Sequence, residues 1–353
     1  MRLNLLLRYL MTLLLALASA LLGVWLHTPL PWMLGPLIVT AVASMLGAQT
    51  CSWLPLRNVG QWTIGAALGL YFTPQVTALV AGIWWAVLLG IAWSLGLGIW
   101  FGVWLHRMQA SRMPQVPPHQ MRATTYFATS IGGASEMTLL AERENARTDL
   151  VAASHSLRLL IVTIIIPFAF TWSGLHGIDL TPPGPREASW PGFAWLVLAT
   201  GAGAWLMERL GRTNPWFLGA LAVSMGLTMA GINLSAVPQW LSNAAQLFIG
   251  VSLGVRFTRE FIHTAPRWLG LVAIGTLTMI ALSAAFACLL AWFTGIHPAT
   301  MILGTAPGGI AEMAITAKVL QLGVPVVTAF QVCRLIAVLM LVGPAYRLLF
   351  SAE

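Results

Sequence analysis

Charge is what this sequence has least of. Of 353 residues only 8% are Asp, Glu, Lys or Arg, against about a quarter in a soluble domain. Hydrophobic residues make up 58% and the mean hydropathy is +0.82. A soluble globular domain is excluded, and an integral membrane protein is expected. Cysteine is scarce as well. Cys51, Cys288 and Cys333 have no CxxC spacing and make no disulfide framework. The seven histidines are scattered, and no His/Cys/carboxylate group has metal-ligand spacing. No metal or other cofactor is expected, and no enzyme. Long basic loops are also missing. The net charge of +8 comes from arginines in short gaps between apolar runs, which is how topology is encoded rather than how nucleic acid is bound. The expected partner is the lipid bilayer, with 17 Trp to supply interfacial belts.

What is present is apolar sequence in quantity. Runs fall at about 5–26, 32–49, 59–72 (short) and 77–105, then a Gly-Gly segment at 123–144 and a run at 149–171. The opening, through Ala18-Ser19-Ala20, has the look of a signal peptide, but the run continues to Leu26 and is read as a retained first helix. Residues 172–189, with Pro182, Pro183, Gly184 and Pro185, read as a linker. The order then returns at about 190–207, 214–231, 239–255, 267–293, a Gly-Gly segment at 299–320, and 323–346. The domains expected are 1–171 and 190–353, as two membrane repeats.

The repeat is visible residue by residue. Pro31-Trp32-x-Leu34-Gly35 returns as Pro215-Trp216-x-Leu218-Gly219. Gln61-x-x-Ile64-Gly65-x-x-Leu68-Gly69 returns as Gln246-x-x-Ile249-Gly250-x-x-Leu253-Gly254. Glycine at every fourth position makes a face that another helix can approach closely, and packing is the preferred reading of it. Thr129-Ser-Ile-Gly132-Gly133-Ala-Ser-Glu136-Met137 returns as Thr305-Ala-Pro-Gly308-Gly309-Ile-Ala-Glu312-Met313. Each copy is followed, at one separation, by a lone arginine in an apolar run: Arg158 and Arg334.

The arginines between runs alternate in opposite sense in the two halves, so under the positive-inside rule the halves face opposite ways. The fold expected is all-α and polytopic: about ten transmembrane helices as two inverted five-helix repeats, each with a re-entrant or broken Gly-Gly helix, and both termini cytoplasmic. About ten residues lead to each Gly-Gly pair, a climb of roughly 15 Å. Glycine is expected there because it lets a chain reverse tightly. Twelve parallel spans, each Gly-Gly segment crossing as a broken helix, is the alternative.

Buried charge in lipid costs several kcal/mol and marks function more often than accident. Gly132, Gly133, Glu136 and Arg158, with Gly308, Gly309, Glu312 and Arg334, are therefore the candidate substrate-binding residues. The plain reading is two ion pairs, Glu136–Arg158 and Glu312–Arg334. The functional reading is an anion held by the guanidinium fork and by helix N-termini, with the glutamates carrying protons. Thr129, Ser130, Ser135 and Thr305 are weaker candidates, since a hydroxyl in a membrane helix usually bonds its own backbone. His155, one turn before Arg158, is read as packing; its counterpart is Gln331. Gln61 and Gln246 are secondary candidates for polar lining.

The duplicated Gly-Gly-x-x-Glu turns and the Arg158-Leu159 and Arg334-Leu335 runs after them resemble the AbrB family of bacterial inner-membrane proteins, also catalogued as ammonia monooxygenases. The resemblance covers nearly the whole chain. It implies an inner-membrane location and an association with regulation of gene expression, and it supplies no substrate. A copper or iron monooxygenase needs clustered ligands that this chain lacks. The expectation is a secondary carrier of a small anionic metabolite, coupled to protons, with a homodimer as the scaffold such a carrier would need. The alternative is a membrane sensor whose output surface is 106–122 and 142–149.

Overall fold

The computed structural model describes residues 2–113, 115–174 and 188–350, and among them every regular element is helical. In order these are α1 (Arg2–Trp25), α2 (Pro31–Met45), α3 (Leu54–Gly69), α4 (Pro74–Gly82), α5 (Trp84–Gln109), α6 (Pro118–Thr129), α7 (Ala134–Arg143) and α8 (Thr148–Ser173). After residues 175–187, the part of the expected linker that lies outside the described residues, come α9 (Trp190–Arg209), α10 (Pro215–Met229), α11 (Gln239–Gly254) and α12 (Arg259–Thr264). The last four are α13 (Pro266–Thr294), α14 (Pro298–Thr305), α15 (Ile310–Val319) and α16 (Val324–Phe350). The stretch expected as a loop at 106–122 is partly helical, because α5 runs to Gln109, a 3-10 turn spans Ala110–Arg112 and α6 begins at Pro118.

Proline sets many of these starts. It stands at the first or second helical position of α2, α3, α6, α9, α10, α13 and α14, where its missing N–H would have no partner anyway. Before each Pro-Trp start the chain makes a left-handed residue, Leu30 (φ 46) in one half and Asn214 (φ 45) in the other. Both breaks fall at the gaps between the apolar runs.

Helix length, not the position of the breaks, overturns the expected span count. Five helices among the described residues are long and apolar enough to cross a membrane: Leu5–Trp25, Trp84–Gln109, Thr148–Ser173, Pro266–Thr294 and Val324–Phe350. A sixth is reached if α3 and α4, bent by 89° at their junction, act as one span. Among the described residues the ten spans expected as two inverted five-helix repeats are not present. The helices α2 and α10 have 15 residues each, about 22 Å of rise against a hydrocarbon core of about 30 Å. With 16 residues, α11 is only slightly longer. The apolar content of α9 is diluted by Gly192, Gly201 and Gly203 and ends on Glu208-Arg209.

The chain divides into two compact units, each drawing on both halves of the sequence. One comprises Met1–Gly82, Pro167–Glu260 and Ala314–Pro325. Within it α3 packs on α10 and α11 on α2, through the glycines of the repeated Gly-x-x-x-Gly. A Cβ on Gly65 would collide with the Phe217 carbonyl oxygen, and one on Gly69 would stand 2.5 Å from Ser224 Cβ. On α11, a Cβ on Gly250 would stand 2.5 Å from the Met33 carbonyl oxygen, and one on Gly254 would collide with Thr40 Oγ1. The packing reading of these glycines holds. Ser224 Oγ also donates to the Ala66 carbonyl at 2.7 Å. Gln61 and Gln246 belong to this unit, and Gln246 is buried.

The other unit comprises Ile83–Ile166, Phe261–Met313 and Val326–Glu353. Its core gathers Phe101, Tyr126, Phe127, Met137, Val151, Trp268 and Val338. Trp268 is fully buried and donates its Nε1–H to Ser154 Oγ at 2.8 Å. The Tyr126 hydroxyl donates to the Val342 carbonyl at 3.0 Å. All eight candidate site residues lie in this unit.

Candidate functional site

Each Gly-Gly segment is two short helices with an extended joint. In the first, α6 stops where Ser130 turns extended (φ -55, ψ 134), and α7 starts after Gly133 (φ -68, ψ 142). In the second, α14 stops where Ala306 turns extended (φ -57, ψ 141), and α15 starts at Ile310. None of Gly132, Gly133, Gly308 or Gly309 has a positive φ, so tight reversal is not why glycine is there. Close approach is. A Cβ on Gly132 would lie 2.8 Å from Met137 Cε, and one on Gly308 2.9 Å from Met313 Cγ. A Cβ on Gly133 or Gly309 would fall on the carboxylate Oε2 of Glu136 or Glu312, respectively. The glutamates therefore fold back over the start of their own helices, at the third helical position, where the helix dipole favours negative charge.

A helix that stops inside a protein leaves carbonyls without partners, and the two arginines supply them. Arg158 Nη1 donates to the Ser130 carbonyl at 2.9 Å and Nη2 to the Gly132 carbonyl at 3.1 Å. Arg334 Nη1 donates to the Ala306 carbonyl at 2.5 Å and Nη2 to the Gly308 carbonyl at 2.7 Å. Each arginine thus reaches back to the carbonyls 28 and 26 residues before it in both halves. Both guanidiniums are buried, at 5% exposure each. Arg158's terminal nitrogens are occupied by backbone and by His155, not by Glu136, so the simple ion-pair reading of that half is not what the geometry shows.

A residue one turn earlier steadies each fork. His155 Nε2 lies 2.9 Å from the Phe127 carbonyl, and its Nδ1 2.9 Å from Arg158 Nη2. Gln331 does the same with an amide: Nε2 donates to the Leu303 carbonyl at 2.7 Å, and Oε1 accepts from Arg334 Nη2 at 2.6 Å. His155 is more than packing, and the signal was available in sequence: a hydrogen-bonding residue three before each arginine. The hydroxyls follow the plainer reading. Thr129 Oγ1 donates to the Thr125 and Gly98 carbonyls, Ser130 Oγ to the Tyr126 carbonyl, and Thr305 Oγ1 to the Met301 carbonyl. Ser135 is exposed.

The two breaks are neighbours. A Cβ on Gly309 would come 3.2 Å from Leu159 Cδ2, beside Arg158, and Arg158 and Arg334 lie close enough for their charges to act on each other. The Nε atoms of both arginines are buried without a hydrogen-bond partner. The breaks thus gather two buried cations, each with an unused Nε donor, and the carboxylates of Glu136 and Glu312. The first glycine of each break is roofed by methionine and the second faces a carboxylate. Among the described residues no group of His, Cys, Asp and Glu could hold a metal ion.

The family described as "Transition state regulatory protein AbrB" matches residues 32–350. The chain belongs to the AbrB family. That description concerns a regulatory protein and names no reaction. Two relatives match over most of their length. One, "Uncharacterized protein YhjN" of Bacillus subtilis strain 168, is 28% identical over 347 residues, spanning 90% of this chain and 87% of the relative. The other, "Putative regulator AbrB" of Escherichia coli strain K12, is 25% identical over 326 residues, spanning 90% of this chain and 89% of the relative. This AbrB-family chain is a multi-span helical membrane protein.

Proposed function

We propose that this chain is a secondary carrier for a small anionic metabolite, residing in a bacterial inner membrane with both termini cytoplasmic, and binding its cargo at the paired Gly-Gly breaks. The observation that carries the reading is the twofold anchoring of Arg158 and Arg334 on break carbonyls, with Nε left over on each. An arginine needed only to close a helix end has no reason to sit beside a second one in a buried unit. Like charges in a low-dielectric interior repel strongly, and an anion between them offsets that repulsion. The N-termini of α7 and α15 add backbone N–H groups and a favourable dipole to the same place. Irregular backbone amid apolar helices is tolerated where it is covered by protein or lines a cavity, and carriers place it at their binding sites.

Purified protein in liposomes tests this directly. Exchange or uptake of at least one small carboxylate, phosphate or sulfonate, lost in Arg158→Gln and Arg334→Gln, is expected. A panel that moves nothing in the native chain sinks the carrier reading. A second reading is a membrane sensor acting on gene expression through a cytosolic partner, favoured by the regulatory names of the family and of the Escherichia coli relative. In that case ligand binding survives reconstitution and flux does not appear.

A further inference from the structure

We propose that Glu136 and Glu312 are tethered ligands of this site, each carboxylate filling a seat that a small monocarboxylate takes once that side chain is protonated and withdraws. The inference rests on the breaks being an anion site and goes on to say which anion fits and what admits it. The seat is defined by glycine. The carboxylate oxygens occupy the space that a Cβ on Gly133 or Gly309 would fill, so any other residue there would close it. What fills it in this structure is planar, carries two oxygens and bears one negative charge. A free carboxylate has the same shape and charge; a phosphate or sulfate is bulkier and tetrahedral.

The seat is electrostatically one for anions, on two separate grounds. It lies at the positive ends of α7 and α15, ten residues each. Beside it are Arg158 and Arg334, at least nine-tenths buried, whose Nε–H groups have no partner and whose terminal nitrogens grip the same breaks. The charged and titratable groups turned toward the breaks are Arg158 and His155 from α8 and Arg334 from α16. Of the others on these helices, Lys318 of α15 reaches Ser242 Oγ at 3.5 Å, Tyr126 donates to the Val342 carbonyl, and Arg347 pairs with Glu144. The two seats differ in access. Glu312 is buried at 7% exposure, while Glu136 is only partly covered.

The chemistry is an exchange without covalent change. A proton binds the glutamate carboxylate, the neutral side chain loses its attraction for the helix end, and the incoming carboxylate takes the seat. One proton and one anion enter together, which is proton coupling from a single competition. By linkage, anion affinity must then rise as pH falls.

Fluorine NMR of trifluoroacetate with the full chain in detergent tests this, because trifluoroacetate stays ionised throughout and any pH effect belongs to the protein. Binding by the native chain is expected to tighten between pH 8 and pH 5, by up to about tenfold per unit for one coupled proton. The double variant Glu136→Gln, Glu312→Gln should bind equally at both pH values, and at pH 8 at least about tenfold more tightly than native. If that variant is not monodisperse, Glu136→Gln alone is read by the same criterion of a flattened pH response. Native binding that is abolished by Arg158→Gln, yet is indifferent to pH and not tightened by the glutamine variants, overturns the tethered-ligand inference and leaves the anion site standing. No binding in the native chain or in the glutamine variants overturns the anion site, and this inference with it.

Discussion

Arg158 and His155 share a hydrogen bond whose direction fixes a proton. An arginine only donates, so His155 Nδ1, 2.9 Å from Arg158 Nη2, must accept, and the ring proton must sit on Nε2, facing the Phe127 carbonyl at 2.9 Å. Gln331 reproduces this polarity, with its Nε2 amide donating to backbone and Oε1 accepting from Arg334. Two unlike residues do one job: accept from an arginine on one side and donate to a stopped helix on the other.

His155→Gln is therefore expected to be tolerated, because the other half already uses glutamine. His155→Leu leaves the Phe127 carbonyl and one arginine donor unmatched and should cost about 2–4 kcal/mol. Denaturant unfolding in a fixed detergent distinguishes them. Equal losses for the two variants would mean that ring packing, not hydrogen bonding, is what His155 contributes.

Arg158 and Glu136 are expected to act independently on stability. Arg158→Gln strands break carbonyls and should cost about 2–4 kcal/mol. Glu136→Gln removes only a favourable charge at a helix start, at most about 1 kcal/mol. The double variant should show the sum. A double variant more stable than Arg158→Gln would reveal a direct pairing that the hydrogen bonds of Arg158 do not include.

Glycines within helices divide by what a methyl group would meet. Gly65→Ala and Gly250→Ala run into backbone carbonyls of α10 and α2 and are expected to cost about 1–3 kcal/mol. Gly96 and Gly226 face open space inside helices, so alanine there should be neutral or stabilise by up to about 1 kcal/mol. Thermal unfolding of the four single variants gives the ranking, and an inverted order would contradict the close contacts.

The termini decide how α3 and α4 are used. Five spans put the two ends on opposite faces; the bent pair Leu54–Gly69 and Pro74–Gly82, taken as a crossing, makes six and returns them to one face. Arg8 near the start and Arg347 near the end favour the cytoplasm for both. Fluorescent-protein fusions at either end should both fluoresce. A dark fusion at one end would remove the bent pair from the count.

Much of the site was legible because it is written twice. The breaks, the glutamates, the arginines and the residue three before each arginine stand at one spacing in both halves, and the structure brings them together in one compact unit. What the arginines hold was not legible. A backbone carbonyl has no letter in a sequence, so a buried charge invites pairing with an opposite charge, and Glu136 is the one that repeats with Arg158 at a fixed spacing in both halves. The span count failed for a related reason. The apolar runs at 32–49 and 214–231 continue past Met45 and Met229, where α2 and α10 stop, and hydropathy does not register that a helix has ended. Short helices then look like crossings.

The pairing of α3 with α10 and of α2 with α11 has a consequence for the order of synthesis. When the ribosome has finished α3, the atoms that its glycines are shaped to meet do not yet exist; the Phe217 carbonyl and the Ser224 side chain arrive only after some 150 further residues. The first half must wait in the membrane with its closest-fitting surfaces uncovered. Its folding rate is then set by loop closure over a long stretch of chain, and an arrest between Gly69 and Phe217 should leave a species that a quality-control protease recognises.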